Sequence, residues 1–133
     1  MEINNYGATD ALEFKGEMDR VGAKTWIEHY KGDKHYLRTT VEVQEYMLAN
    51  LDAFQHKLLT YIFYKSFKGM ASSSMWIKET NIEIGENIKM DKNVVKKHLI
   101  KFEDAGIIKR YKRHQRDKQH IVIMPFENWK VIK

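Results

Sequence analysis

Four side chains in the run DKNVVKKHLIK carry the strongest chemical signal in this sequence: Lys92, Asn93, Lys96 and Lys97. Three ammonium groups and a carboxamide so close together suit hydrogen bonding to a polyanion and to base edges. Lysine can donate to phosphate or to guanine O6 and N7, and asparagine can pair bidentately with adenine. Asn93 is therefore the expected base reader. Lys101 follows one turn on and is expected near phosphate or solvent. Further along, Lys112, Arg113, Arg116 and Lys118 crowd a short polar stretch, where they could grip a phosphate backbone or enter a minor groove.

Other chemistry finds little footing. The six histidines are His29, His35, His56, His98, His114 and His120, and none forms His-x-His, HExxH or another metal-ligand spacing. There is no cysteine and no GxxxxGK[ST] phosphate loop, and Ser72–Ser74 lack a G-x-S-x-G setting. No catalytic residue, metal or cofactor is expected, and the chain does not read as an enzyme. His98 reads as a packing group or a phosphate contact.

Charge is unevenly placed. Residues 1–50 hold 6 Lys/Arg against 9 Asp/Glu, whereas residues 51–133 hold 17 against 9. Within residues 89–118 the balance is 11 against 4. A basic stripe is the electrostatic footprint of a polyanion binder, although lysines on a helix are more often just a solvated face. The length of 133 residues suits one modest core, and 43% of residues are apolar. No run of 18 apolar residues or apolar leader stands out, so neither a membrane span nor a signal peptide is expected. The absence of cysteine fits a reducing cytoplasm.

The elements that must position these groups follow from periodicity. Thr25–Tyr30 and Lys34–Thr39 flank Gly32-Asp33 and predict a β-hairpin. Thr39 or Thr40 caps a helix to about Asn50, with Val41, Val43, Tyr46, Met47 and Leu51 as an imperfect apolar face. Asp52 caps a second helix, in which Phe54, Leu58, Leu59, Ile62, Phe63 and Phe67 recur at helical steps and should be core. Gly69 should end it, Ser72–Ser74 should form a loop, and Met75–Lys78 reads as a short strand.

Residues 80–108 hold the clearest pattern. Thr80 with Glu83 makes a capping box for a short helix, Asn81–Ile88. After a break at Lys89–Met90, Asp91 caps a longer helix, Lys92–Ala105, with Val95, Leu99 and Phe102 inward. Ile84, Ile88 and Met90 should pack beneath them, and Gly106 stands where a left-handed cap is needed. Ile107–Arg113 and His120–Met124 read as strands around a basic tip, His114–Gln119, and Pro125 ends the second. Two helices across a tight turn, followed by a basic hairpin, predict an α+β fold: a winged helix-turn-helix with an N-terminal α/β extension. The expected division is 1–38 for the extension and 39–133 for the winged-helix domain, with residues 51–125 binding double-stranded DNA. The hairpin beside the helix is what tips the lysines from solvated face toward phosphate contact. Trp26, Tyr30, Tyr36, Trp76 and Trp129 read as core or interface rather than base-stacking groups.

The stretch EIGENIKMDKNVVKKHLIKFEDAGIIKRYK resembles the winged-helix pattern of bacterial and phage regulators and replication proteins. From about Tyr36 to Trp129 the chain resembles the RepL family of plasmid replication proteins. The likeness lies in TTVEVQEYMLANLDAFQHKLLTYIFYK ahead of the helix pair and in IVIMPFENW as the closing strand. It implies a replicon-encoded initiator that binds its own origin. Small residues usually stand where Gly85 falls, which fits. The family's turn often carries glycine where Lys89 stands. A side chain in a left-handed turn costs about 1 kcal/mol, which predicts a turn built differently here.

Three functions follow in order: a plasmid or phage replication initiator, a winged-helix transcriptional regulator, and a protein-interaction module that does not bind DNA. The first two imply double-stranded DNA and host replication or transcription proteins as partners, with no membrane. A homodimer is also expected, because winged helices often pair to match a two-fold site.

Overall fold

Helix starts in this chain carry the side chains that their exposed amides need. Thr40 Oγ1 accepts from the Val43 amide at 3.2 Å, opening α1 (Val41–Asn50). Asp52 and Gln55 cap each other reciprocally, amide to side-chain oxygen at 2.8 and 3.0 Å, at the head of α2 (Ala53–Met70). Thr80 and Glu83 do the same at 3.1 Å each way, opening α3 (Asn81–Ile88). Asp91 Oδ1 accepts from the Asn93 amide at 2.8 Å at the start of α4 (Lys92–Asp104). The computed structural model describes residues 40–70, 77–112 and 115–133, with backbone alone for 67–70.

Strands β1 (Ile77–Lys78), β2 (Ile108–Tyr111) and β3 (His120–Ile123) form an antiparallel sheet in the order β1-β3-β2. Ile108 lies opposite Ile123 and Tyr111 opposite His120, while Ile77 lies opposite Ile121. The helices and this small sheet make an α+β fold. Because β1 precedes α3 and β2 follows α4, the helix pair is bracketed between the two edges of one sheet. A 3-10 turn, Phe126–Asn128, then leads the tail back across the core.

One core joins all of these elements. Val43 and Met47 enter it from α1, and Leu58, Leu59, Ile62 and Phe63 from α2. Ile84 and Ile88 enter from α3, Val95, Leu99 and Phe102 from α4, and Ile108, Ile121 and Ile123 from the sheet. Met90 seals the turn between α3 and α4. Trp129 closes the far side, where its indole N–H donates to Met124 O at 2.9 Å. Tyr46 and Phe126 meet that ring edge-on, with centroids 5.3 and 5.1 Å away.

Several expectations are corrected. Phe54 is not core, being 58% exposed, and Val41 drops out of the apolar face of α1 at 70% exposure. Val41 is the first residue of α1 and lies about 160° around the helix from Val43, and Phe54 stands a turn before α2 meets the core at Leu58. Gly69 does not end α2, which continues to Met70; a glycine costs about 1 kcal/mol in a helix without compelling it to stop. Helix α4 stops at Asp104, one residue earlier than expected, with Ala105 as its cap, while Gly106 does take the expected left-handed conformation at φ +74°. The strands are shorter than periodicity suggested. Ile107 N bonds back to Phe102 O at 2.9 Å and closes the helix, while its carbonyl accepts from the Met124 amide at 2.9 Å just ahead of the first paired residues. The hairpin expected at 25–39, the loop 72–74, Phe67, Trp76, Arg113 and His114 lie outside the described residues or side chains.

The turn between α3 and α4 is the tightest point. Lys89 sits in the left-handed region, φ 58° and ψ 52°, so the turn is built as a glycine would build it. The expectation of a different turn is overturned, because the Lys89 and Met90 amides both return to Gly85 O, the latter at 2.9 Å, and hold the conformation. A Cβ on Gly85 would lie 2.3 Å from Met90 O. Gly85→Ala is therefore expected to destabilise by about 1–3 kcal/mol, because backbone must move, whereas Lys89→Gly should stabilise by up to about 1 kcal/mol. Urea unfolding of both variants checks this, and a neutral Gly85→Ala would show that the turn is looser than described.

Candidate nucleic-acid interface

Helix α4 has two sharply different sides. Val95, His98, Leu99 and Phe102 are buried. Lys92, Asn93, Lys96 and Lys97 are all exposed, so one helix presents the four leading candidates to solvent together. Lys101, in the last turn, is half-buried. The Asp91 cap occupies the Asn93 amide and leaves its side chain outside the helix ladder.

The β2–β3 connection is less free than its composition suggests. Arg116 is exposed and Lys112 half-buried, while Arg113 lies outside the described residues. Lys118 is exposed but engaged: its ammonium lies 2.9 Å from the Glu83 carboxylate of α3. That ion pair, with the Thr80 amide, holds the Glu83 carboxyl below its usual pKa. Next to it, Gln119 Nε2 donates to Asn81 Oδ1 at 2.7 Å, and Lys78 lies 3.9 Å from Asp117. The returning limb of the hairpin is thus fastened to the first turn of α3 and to β1.

One basic residue of the stripe faces inward. Arg110 is buried and pairs with Glu103 of α4 at 3.0 Å, with a second contact from Nε at 3.3 Å. Glu103 also accepts from the Arg110 amide at 3.1 Å, and Arg110 Nη1 reaches Gln119 Oε1 at 3.5 Å. A continuous polar chain therefore runs from the end of α4 through β2 to the hairpin limb and α3.

His98 is buried at 3% exposure, which removes it from the candidate phosphate contacts. Burial pushes its pKa down; attraction by Asp52 opposes this, and Lys97 and Lys101 add to it. Three groups beside the candidate contacts were not among them: exposed Lys89 and Lys109, and half-buried Ile100. Lys89 and Lys92 line one shallow open groove with Ile82, Gly85, Glu86 and Met90. Lys109 points out of β2 between buried Ile108 and Arg110, and Ile100 lies on the outward arc of α4. The two lysines sat in plain view in the basic run; period-2 alternation in the strand would have found Lys109.

No family model, curated protein or solved structure matches the chain. Among the described residues, no group of His, Asp and Glu could hold a metal ion, and no helix is long and apolar enough to cross a membrane. A second polar cluster lies apart from α4: Tyr61 OH donates to Glu79 at 2.5 Å and accepts from Asn87 at 2.9 Å. Burial and the Glu79 carboxylate raise that phenol's pKa, so Tyr61 acts as a neutral clamp between α2, the β1 exit and α3.

Two outcomes follow. Arg110→Ala should cost about 1–3 kcal/mol by removing the guanidinium partner of half-buried Glu103, which keeps only the backbone amide, whereas Lys109→Ala should stay within about 0.5 kcal/mol; equal effects in chemical unfolding would contradict the pairing. For His98 the native state disfavours the proton, so its contribution to stability is complete above the unfolded pKa of about 6.5 and is lost as pH falls below it. The fall in Tm between pH 7 and 5 should therefore be shallower in His98→Leu than in the native chain.

Proposed function

We propose that this chain is a winged-helix protein that binds double-stranded DNA, with α3 and α4 as the helix-turn-helix and β2–β3 as the wing. Helix α4 enters the major groove, which is about 12 Å wide and admits one helix. Asn93 faces a base, Lys92, Lys96 and Lys97 face phosphate or guanine, and Lys101 lies toward the flank. Lys112, Arg113 and Arg116 of the wing meet the backbone. The observation that carries this reading is the two-sided character of α4: four polar side chains stand exposed outside a buried face, with Asn93 and Lys97 directly opposite it, just after a tight turn. The likeness to RepL proteins extends the reading to a plasmid or phage replication initiator that binds its origin and recruits host machinery. A transcriptional regulator would use the same interface.

The decisive experiment is selection from a random duplex pool at physiological salt, with Lys96→Ala/Lys97→Ala as the control. A recovered motif that the double variant no longer selects supports recognition through α4. Its position at an iterated origin or at a promoter separates initiator from regulator. No retardation of duplex at micromolar protein and low salt would overturn the reading and favour a protein-binding module.

Salt dependence supplies a second check. With ~6 phosphates neutralised, log K should fall against log salt with a slope of roughly −5. Lys112→Ala/Arg116→Ala should weaken binding to all sequences alike, while Asn93→Ala should relax choice at one base pair by about 1–3 kcal/mol. A uniform loss from Asn93→Ala would show that it touches the backbone instead.

A further inference from the structure

Ile100 is out of place on α4. Successive residues turn by 100°, and buried Val95, His98, Leu99 and Phe102 define the inward arc. The opposite arc carries Asn93, Lys97, Ile100 and Asp104, spaced at four, three and four residues. Lysine or glutamate would serve an outward helix position as well as isoleucine does, with slightly better helix propensity. Ile100 is half-buried, and a helical side chain leans over the turn before it, which here carries Lys96 and Lys97. It is an apolar group set among the candidate base and phosphate contacts.

We propose that Ile100 is a specificity-determining residue that contacts the C5-methyl group of thymine, so that the preferred site carries a thymine about three base pairs from the position faced by Asn93. The proposal rests on the DNA-binding reading of α4 and deepens it. Thymine is the one base that presents a methyl group in the major groove, and its natural partner there is an apolar side chain. Asn93, which pairs bidentately only with adenine, stands seven residues earlier on the same arc. Seven residues of α-helix span about 10 Å, and base pairs succeed one another every 3.4 Å or so. Lys97 lies between the two and supplies a cation to the same groove. Asp104 is exposed one turn beyond Ile100 and, as an anion, is repelled by phosphate, so the reading face ends at Ile100. The combination selects a site rich in A·T pairs.

The test compares the full chain on an alternating A·T duplex and on the same duplex with deoxyuridine in place of thymidine, which removes only the methyl groups. One buried methyl is worth about fourfold in affinity. Native protein should prefer the thymidine duplex by about that factor or more, Ile100→Ala should bind both equally, and Ile100→Val should restore a preference. Lys97→Ala should weaken both duplexes and keep their ratio. Equal binding of the two duplexes by the native protein overturns the role of Ile100 while leaving DNA binding intact. So does a preference that survives in Ile100→Ala. If Ile100→Ala loses its helical signal, the native comparison and Ile100→Val still decide. Failure to bind either duplex at low salt overturns the parent reading itself.

Discussion

The arrangement depends on one close approach of backbone to backbone. Gly85 O receives the amide of Met90, and the Gly85 Cα lies so near the Met90 carbonyl that no side chain fits between them. This contact fixes the angle between α3 and α4. It also explains how Lys89 is held in a conformation that lysine seldom takes, since the two amides that follow α3 are satisfied only there. With the angle set, Ile84 and Ile88 of α3 and Val95 and Leu99 of α4 can share one core, and the exposed arc of α4 is determined by what remains. The direction in which Lys92, Asn93, Lys96 and Lys97 point is therefore a consequence of a glycine seven residues or more upstream.

Local grammar was legible; long-range pairing was not. The Thr80–Glu83 capping box, the Asp52 and Asp91 caps and the left-handed Gly106 involve residues a few positions apart, so their types and spacing suffice to find them. The bounds of α3 match the reading residue for residue. Buried faces were legible where several apolar residues recur in step, as in Leu58, Leu59, Ile62 and Phe63, and misleading at element starts, as with Val41 and Phe54. A helix's first turn has not yet reached its neighbour, so periodicity overstates burial there. The exposure of Lys92, Asn93, Lys96 and Lys97 on α4 was legible from residue type and helical phase. The Glu83–Lys118 pair was not, because nothing local distinguishes a lysine destined for a carboxylate 35 residues away from one left in water; nor was Glu103–Arg110, which forms across the corner from α4 into β2, a turn of the chain that residue spacing does not reveal.

Those pairings change how the basic stripe should be understood. Net charge counts every cation equally, but the fold divides them. Arg110 is withdrawn into a buried pair that ties α4 to β2, and Lys118 is shared with an acidic residue that also caps α3. The exposed ammonium groups of Lys92, Lys96 and Lys97 sit on a rigid helix, whereas Arg116 sits on a connection whose return limb is anchored at Gln119 and Asn81. Cations used as internal struts make the remaining ones geometrically definite. Sequence totals measure attraction to a polyanion, while the division into struts and free groups decides where it could be felt.

The returning tail has a consequence for how the chain reaches this state. The Lys130 amide donates to Ala105 O at 2.7 Å, the Asn128 carbonyl would collide with any side chain on Gly106, and Tyr46 OH donates to the Lys130 carbonyl across 84 residues of sequence. Trp129 fills the space between these contacts. Closing a loop of that length confers nothing until both ends are already shaped, so it adds to the mean sequence separation of contacts and slows folding. The helix pair and the β2–β3 hairpin draw on contacts between near neighbours, whereas β1 reaches β3 from Ile77 to Ile121 and the tail bolts α1 to the end of α4. The first helix of the described chain and its final residues thus form one mutually dependent unit, each lacking its packing partner without the other.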